Sequence, residues 1–185
     1  PTAWSPGTIA WINEANVAWQ EEQGKPLTSG ECPEVVYTAI GIGMWRPMAE
    51  AMGWPDAPIG WNTIVDLAAN PEGWAAYGHP EWGQFSFGHT HPSYSNSGLL
   101  SMIAFVYGIT GREDPLTGAE VYQPHVEEAM RALEQNTSKY GQQSSALFNL
   151  MVAQGPSYIH AIAASEETTL RYGERYADEL RFPLV

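Results

Sequence analysis

The segment Ser93-Tyr94-Ser95-Asn96-Ser97-Gly98 stands directly before an apolar run that begins at Leu99, and its residue types suit the capture of a small polar ligand at a helix start. The first N–H groups of a helix have no intrahelical partner, and that end carries roughly half a unit of positive charge. Ser95, Asn96 and Ser97 add side-chain donors, and Gly98 lets a ligand approach the backbone without a Cβ in the way. The same residues serve equally as plain helix caps, so capping alone is the competing explanation. Ser5-Pro6-Gly7 repeats the device before another helix, and two such starts facing one cleft would form a polar site open to an anion.

Other chemistry is less well supported. His89-Thr90-His91, with His79 upstream, would put two imidazoles on one face of a strand, as a metal-ligand pair requires. No second group of Cys, His or Glu stands at metal-site spacing, so turn-stabilising histidines are the plainer reading and no cofactor is assigned. The pairs Glu21/Glu22, Glu127/Glu128 and Glu166/Glu167 read as solvated helix faces rather than acid/base catalysts. Eight tryptophans and nine tyrosines leave room for a carbohydrate-active domain, provided that Trp45, Trp54, Trp61, Trp74 and Trp82 form an exposed row rather than filling a core. No nucleophile elbow, P-loop or dinucleotide fingerprint is present.

Composition narrows the partners. A net charge of -13 from 21 acidic and 8 basic residues excludes a phosphate-backbone ligand such as nucleic acid and disfavours an anionic membrane surface. No apolar run approaches the roughly 20 residues that span a bilayer, so membrane insertion by this chain is not expected. Hydrophobic residues at 44% and charged residues at 16% give the balance of a folded globular domain. The lone Cys32 cannot form an internal disulfide and leaves the compartment open. A start on Pro1-Thr2-Ala3-Trp4 without Met reads as that of a processed piece.

These candidates need elements to hold them. Apolar residues Ile9, Ile12, Ala15 and Trp19 predict a helix up to Gly24, and the β-branched run over 35–44 predicts a buried strand. Residues 46–83, dense in Trp, Pro and Gly, should be irregular but packed, with short helices near 47–52 and 62–69. Alternation predicts a strand over 84–88. The cap cluster introduces a helix over 99–107 that is apolar nearly all round, hence buried. Further helices are expected around Val126 to Leu133, after a Ser144 or Ser145 cap, and over 166–176, with strands over 159–164 and 180–185. Strands alternating with helices predict the α/β class with a mixed sheet.

A set of sequence words adds to this. Pro1-Thr2-Ala3-Trp4-Ser5-Pro6, Met44-Trp45-Arg46-Pro47-Met48-Ala49-Glu50-Ala51-Met52-Gly53-Trp54-Pro55, Pro58-Ile59-Gly60-Trp61, Gly78-His79-Pro80-Glu81-Trp82-Gly83, the stretch from Gly88-His89-Thr90-His91-Pro92 to Leu100, and Gly155-Pro156-Ser157-Tyr158 resemble the bacterial extracellular solute-binding proteins of the type 2 periplasmic fold. Within that family they are most similar to the branch associated with von Willebrand factor A domain proteins. The resemblance implies two α/β lobes: a partial first lobe and crossover strand over 1–44, a nearly complete central lobe over 45–180, and the start of a return strand over 181–185. It further implies a non-enzymatic, extracytoplasmic protein that captures a small solute, an anion being one option, between its lobes. A membrane transporter or a von Willebrand factor A domain would be its partner. Ser97-Gly98 look like the ligand-contacting helix start of related oxyanion binders, Ser5 like its counterpart from the other lobe, and Tyr158 joins Ser95 and Asn96 as a ligand-binding candidate. A carbohydrate-active or metal-dependent enzyme, or a cell-surface interaction module on the same fold, are the alternatives.

Overall fold

The computed structural model describes residues 6–28, 37–177 and 184–185. The chain divides into two compact units, Pro1–Tyr37 and Thr38–Val185. The first holds helix α1 (Ile9–Gln23), on which Ile12 is buried. Its N-cap is Thr8, whose hydroxyl accepts from the Ala10 N–H, and Gly24 closes it at φ 70°. The helix therefore starts later than the Ser5-Pro6-Gly7 signal suggested: Pro6 and Gly7 lead in and Thr8 does the capping.

The second unit is a mixed α/β structure around a four-stranded sheet of order β1-β4-β2-β3. Strand β1 (Ile40–Met44) leads through Trp45 into helix α2 (Arg46–Ala51) and, after a loop, α3 (Trp61–Ala69). Two 3-10 turns, Gly73–Tyr77 and Pro80–Trp82, precede β2 (Phe87–Thr90) and the long helix α4 (Asn96–Thr110). Then follow α5 (Gly118–Val121), α6 (Pro124–Gln135), β3 (Thr137–Gly141), α7 (Ser144–Gln154), β4 (Ala161–Ser165) and α8 (Glu166–Arg175). Strands β2, β3 and β4 run parallel, and β1 pairs antiparallel with β4.

Register shows how helices cover both faces. Met44, Ala161 and Phe87 are neighbours across the sheet, and the next residues, Gly43, Ile162 and Gly88, point to the other side. Phe87 meets Trp61 of α3, which meets Phe105 of α4, with ring centroids 6.1 and 5.6 Å apart. A Cβ on Gly43 would instead stand 2.8 Å from Thr169 of α8 and 3.0 Å from Phe148 of α7. One face thus carries α3 and α4, and the opposite face α7 and α8.

The tryptophans are packing elements. Trp45 and Trp74 are fully buried, Trp61 is buried, and Trp54 and Trp82 pack against the same core. This corrects the carbohydrate alternative, which required these five rings in an exposed row. The indole N–H groups are satisfied internally: Trp45 Nε1 donates to the Ile159 carbonyl at 2.7 Å and Trp74 Nε1 to His160 Nδ1 at 2.9 Å.

Several boundaries differ from the sequence reading for physical reasons. Strand β2 begins three residues after the predicted 84, because Gln84 Nε2 donates to the Pro71 carbonyl and the Ser86 N–H to His160 Nδ1. Strand β3, Thr-Ser-Lys-Tyr-Gly at the sheet edge, carries no apolar run and was not expected. Residues 37–39 lie outside β1, which is matched in length to its five-residue partner β4; residues 35 and 36 lie outside the described residues. Of the predicted return strand, Leu184 bridges to Trp45 and Val185 exchanges both backbone hydrogen bonds with Met44, at 2.8 and 2.9 Å; residues 180–183 lie outside the described set.

Candidate functional site

Three parallel strands end on one edge of the sheet, and each is followed by a helix whose N-terminus faces that edge. Strand β2 ends at Thr90 and α4 starts at Asn96; β3 ends at Gly141 and α7 starts at Ser144; β4 ends at Ser165 and α8 starts at Glu166. Because α4 lies on the face opposite α7 and α8, the chain diverges to either side of the sheet here and opens a crevice beyond the strand ends. A cavity of about 380 Å³ occupies it, lined by Tyr94 to Ser97, Gln142 to Ser145, Thr168 and Arg171.

Local chemistry explains each start. Ser95 Oγ accepts from the Gly98 N–H at 3.4 Å, which makes Ser95 the N-cap of α4. Ser165 Oγ accepts from the Thr168 N–H at 3.4 Å and lies 2.8 Å from the Thr168 hydroxyl. In α7 the N-cap is Gln143, with no side-chain capping bond, which corrects the expectation that Ser144 or Ser145 caps this helix. Both serines sit instead in its first turn, where the N–H groups have no intrahelical partner. Ser144 is 9% exposed, and its Oγ is buried without a hydrogen-bond partner, as are Thr90 Oγ1 and Arg46 Nε among the described residues.

Helices of 15, 11 and 10 residues begin at the cavity, and their N-termini favour negative charge there. Arg171 lines the cavity already paired with Glu167 at 3.4 Å, and α8 carries Glu166 and Glu167 in its own first turn. No carboxylate belongs to the cavity lining, although the chain contains 21 acidic residues. Such a site can hold and orient an anionic group through N–H, hydroxyl, amide and guanidinium donors.

The site residues expected from sequence divide as follows. Ser95, Asn96 and Ser97 line the cavity. Gly98 is buried one residue deeper, and its missing Cβ serves the chain itself: a Cβ there would stand 2.2 Å from the Thr90 carbonyl oxygen. Ser5 lies outside the described residues. Tyr158 is not brought to the others: it precedes β4, at the sheet edge away from Ser165, where its carbonyl accepts from Ser86 Oγ at 3.1 Å and its ring lies 4.5 Å from Lys139 Nζ. Gln142, Gln143, Thr168 and Arg171 were not foreseen. The one signal for them is that Gly141-Gln142-Gln143-Ser144-Ser145 repeats, ahead of an apolar helix, the small and polar character of 93–98.

The fold gives the histidines other partners. His89 is buried, with Nδ1 2.9 Å from the Thr90 carbonyl and Nε2 3.0 Å from Glu134 Oε1, so both nitrogens are committed. His91 lies beyond the end of β2, accepts from the Ser93 N–H at 3.2 Å and stacks on Tyr94 with centroids 4.7 Å apart. His79 stacks on Trp82 and pairs with Glu81. Among the described residues no group of three or more His, Cys, Asp or Glu is placed to hold a metal ion. Glu134 also accepts from the Tyr140 hydroxyl. Burial pushes the Glu134 carboxyl up, but the bonds from His89 and Tyr140 and the proximity of His89 and His91 outweigh it and hold the carboxyl below the usual range.

Comparison with known proteins bears on the fold. No family model matches the sequence. No curated protein matches it either. Among solved structures, the crystal structure of an ABC transporter from Clostridium perfringens is similar, with a TM-score of 0.51 and 16% identity over 95% of this chain and 46% of that one. This chain therefore spans less than half the length of that relative. The likeness supports the α/β assignment, a mixed sheet flanked by helices, and at this identity it speaks for the fold alone. The von Willebrand-associated branch rests on the sequence words alone.

Proposed function

We propose that the chain is a non-enzymatic, extracytoplasmic solute-binding module that captures a small anion at the C-terminal edge of its parallel strands. The observation that carries this reading is the convergence of the α4, α7 and α8 starts and Arg171 on one cavity whose lining residues include no carboxylate, Glu167 standing behind Arg171 as its ion-pair partner. The buried, unpartnered Ser144 hydroxyl supports it, since a buried hydroxyl without a partner costs about 1–3 kcal/mol that a bound acceptor would recover. The side chains there are donors that bind and orient, without a histidine, thiol or carboxylate to transfer protons. The fold's likeness to a protein described as an ABC transporter, which covers under half of that protein, fits delivery of the solute to a membrane transporter. The sequence words add a von Willebrand factor A domain protein as a further partner.

The test is calorimetric titration and thermal-shift measurement of the full chain with sulfate, phosphate and acetate. Saturable binding of at least one anion, weakened about tenfold or more by Arg171→Ala, is expected, as for a charge-assisted hydrogen bond of about 1.5–3 kcal/mol. Absence of any anion-dependent heat or melting shift removes the reading.

A further inference from the structure

Resting on the anion site just described, we propose that its ligand is a planar aromatic carboxylate, whose carboxylate lies against the three helix starts and whose ring stacks on Tyr94. Tyr94 is the one aromatic residue of the cavity lining, and 72% of it is exposed. A ring left that open beside polar donors offers its free face to another flat group. It is also held still. His91 stacks on it at 4.7 Å with the ring planes 27° apart, and the Tyr94 and Ser95 N–H groups both donate to the His91 carbonyl at 3.1 Å. His91 is itself fixed to the sheet, its N–H donating to the Gly141 carbonyl at 3.0 Å. The platform is thus preorganised, and a ligand ring meets little ordering cost on docking.

The rest of the cavity lining supplies the second half of the recognition. Ser97, Ser145 and Arg171 offer donors suited to two carboxylate oxygens, beside the buried, unpartnered Ser144 hydroxyl. A bare tetrahedral oxyanion would use these donors and leave Tyr94 unused. At about 380 Å³ the depression has room for a small organic molecule.

Titration of the full chain with benzoate, acetate and sulfate tests this. Benzoate is expected to bind about tenfold or more tightly than acetate, the scale of one aromatic pair together with its buried area. Tyr94→Ala should bring the benzoate-to-acetate ratio close to one, and Tyr94→Phe, which keeps the ring, should preserve it. Anion binding without a preference for benzoate, or a preference that survives Tyr94→Ala, overturns the stacking and leaves the anion site standing. Failure of all three probes to bind overturns the anion site and this inference together.

Discussion

The carbonyl oxygen of Thr90 lies 2.2 Å from where a Cβ on Gly98 would stand, so the last residue of β2 and the first turn of α4 are in direct backbone contact. This approach sets where the α4 N-terminus points, and with it Ser95, Asn96 and Ser97. The crowding atoms are backbone, which cannot swing aside as a side chain would.

Gly98→Ala should therefore cost about 1–3 kcal/mol in urea denaturation, as overpacking of a filled site does, and should weaken anion binding by displacing the helix start. Gly118→Ala is the matched control: Gly118 opens α5 with nothing within 4 Å of its absent Cβ. There the change should be neutral or stabilising, since alanine loses less chain entropy on folding. Equal cost at the two positions would mean that β2 and α4 tolerate the methyl group and that the close approach does not govern the site.

Ser144→Ala separates binding from stability by sign. Removing a buried hydroxyl that lacks a partner should leave the ligand-free chain as stable or stabilise it by up to about 1 kcal/mol. The same change should lower anion affinity, because Ser144 lines the cavity and the proposed anion would take its hydroxyl as a donor. Melting temperatures measured with and without acetate check both halves. A loss of stability in the free chain would show the hydroxyl to be already bonded, and the argument for an unmet donor would fall.

How much of this was legible in the sequence follows from the range of each interaction. The cap cluster 95–98 was readable because capping joins residues within one turn, whereas α7 was readable from its apolar spacing and not from a cap, since its N-cap Gln143 makes no side-chain bond. Their convergence was not, because it depends on strand order, and β3 escaped notice as a short polar edge strand. The bond between His89 and Glu134 spans 45 positions, so the local His89-Thr90-His91 pattern, read as turn-stabilising histidines with a metal pair as the alternative, gave no sign of the carboxylate partner the fold supplies. Arg171 reads as a helix-face cation four residues from Glu167, and only the fold turns it towards the cavity. Tyr158, selected with the resemblance words, belongs to the other edge of the sheet.

The acid limb of stability should carry the signature of His160. Its Nδ1 accepts from both Trp74 Nε1 and the Ser86 N–H, at 2.9 and 3.0 Å, which fixes the neutral ring. Burial pushes its pKa from 6.5 down to about 4, against a bond to the Pro156 backbone that pulls the other way. The unfolded chain therefore takes up a proton near pH 6.5 that the folded chain refuses until about pH 4. Stability present above pH 6.5 should fall by about 3 kcal/mol as the pH drops to 4, from 1.36 kcal/mol per pKa unit. Urea unfolding followed by tryptophan fluorescence across that window measures it. His160→Gln should lower stability at neutral pH and flatten the slope; an unchanged slope would assign the acid loss to other groups.

The alkaline limb should report on Tyr140 instead. Burial, and then the bond to Glu134, raise its phenol from 10.0 to about 12, so it stays protonated as a donor above the ordinary tyrosine range. A folded pKa above the unfolded one means stability that is complete below pH 10 and lost as the pH climbs from there towards 12. The ring is 55% exposed, so solvent screening keeps the effect small. Tyr140→Phe should remove that loss and also relieve the acid limb, because Glu134 would keep His89 but lose one of the two donors holding its carboxyl low. Absorbance titration of tyrosinate in the folded chain, compared with Tyr140→Phe, should show the late-ionising ring missing from the variant. If the variant lost an early-ionising ring instead, Tyr140 would not be donating to Glu134, and His89 would be the only side chain hydrogen-bonded to that carboxylate among the described residues.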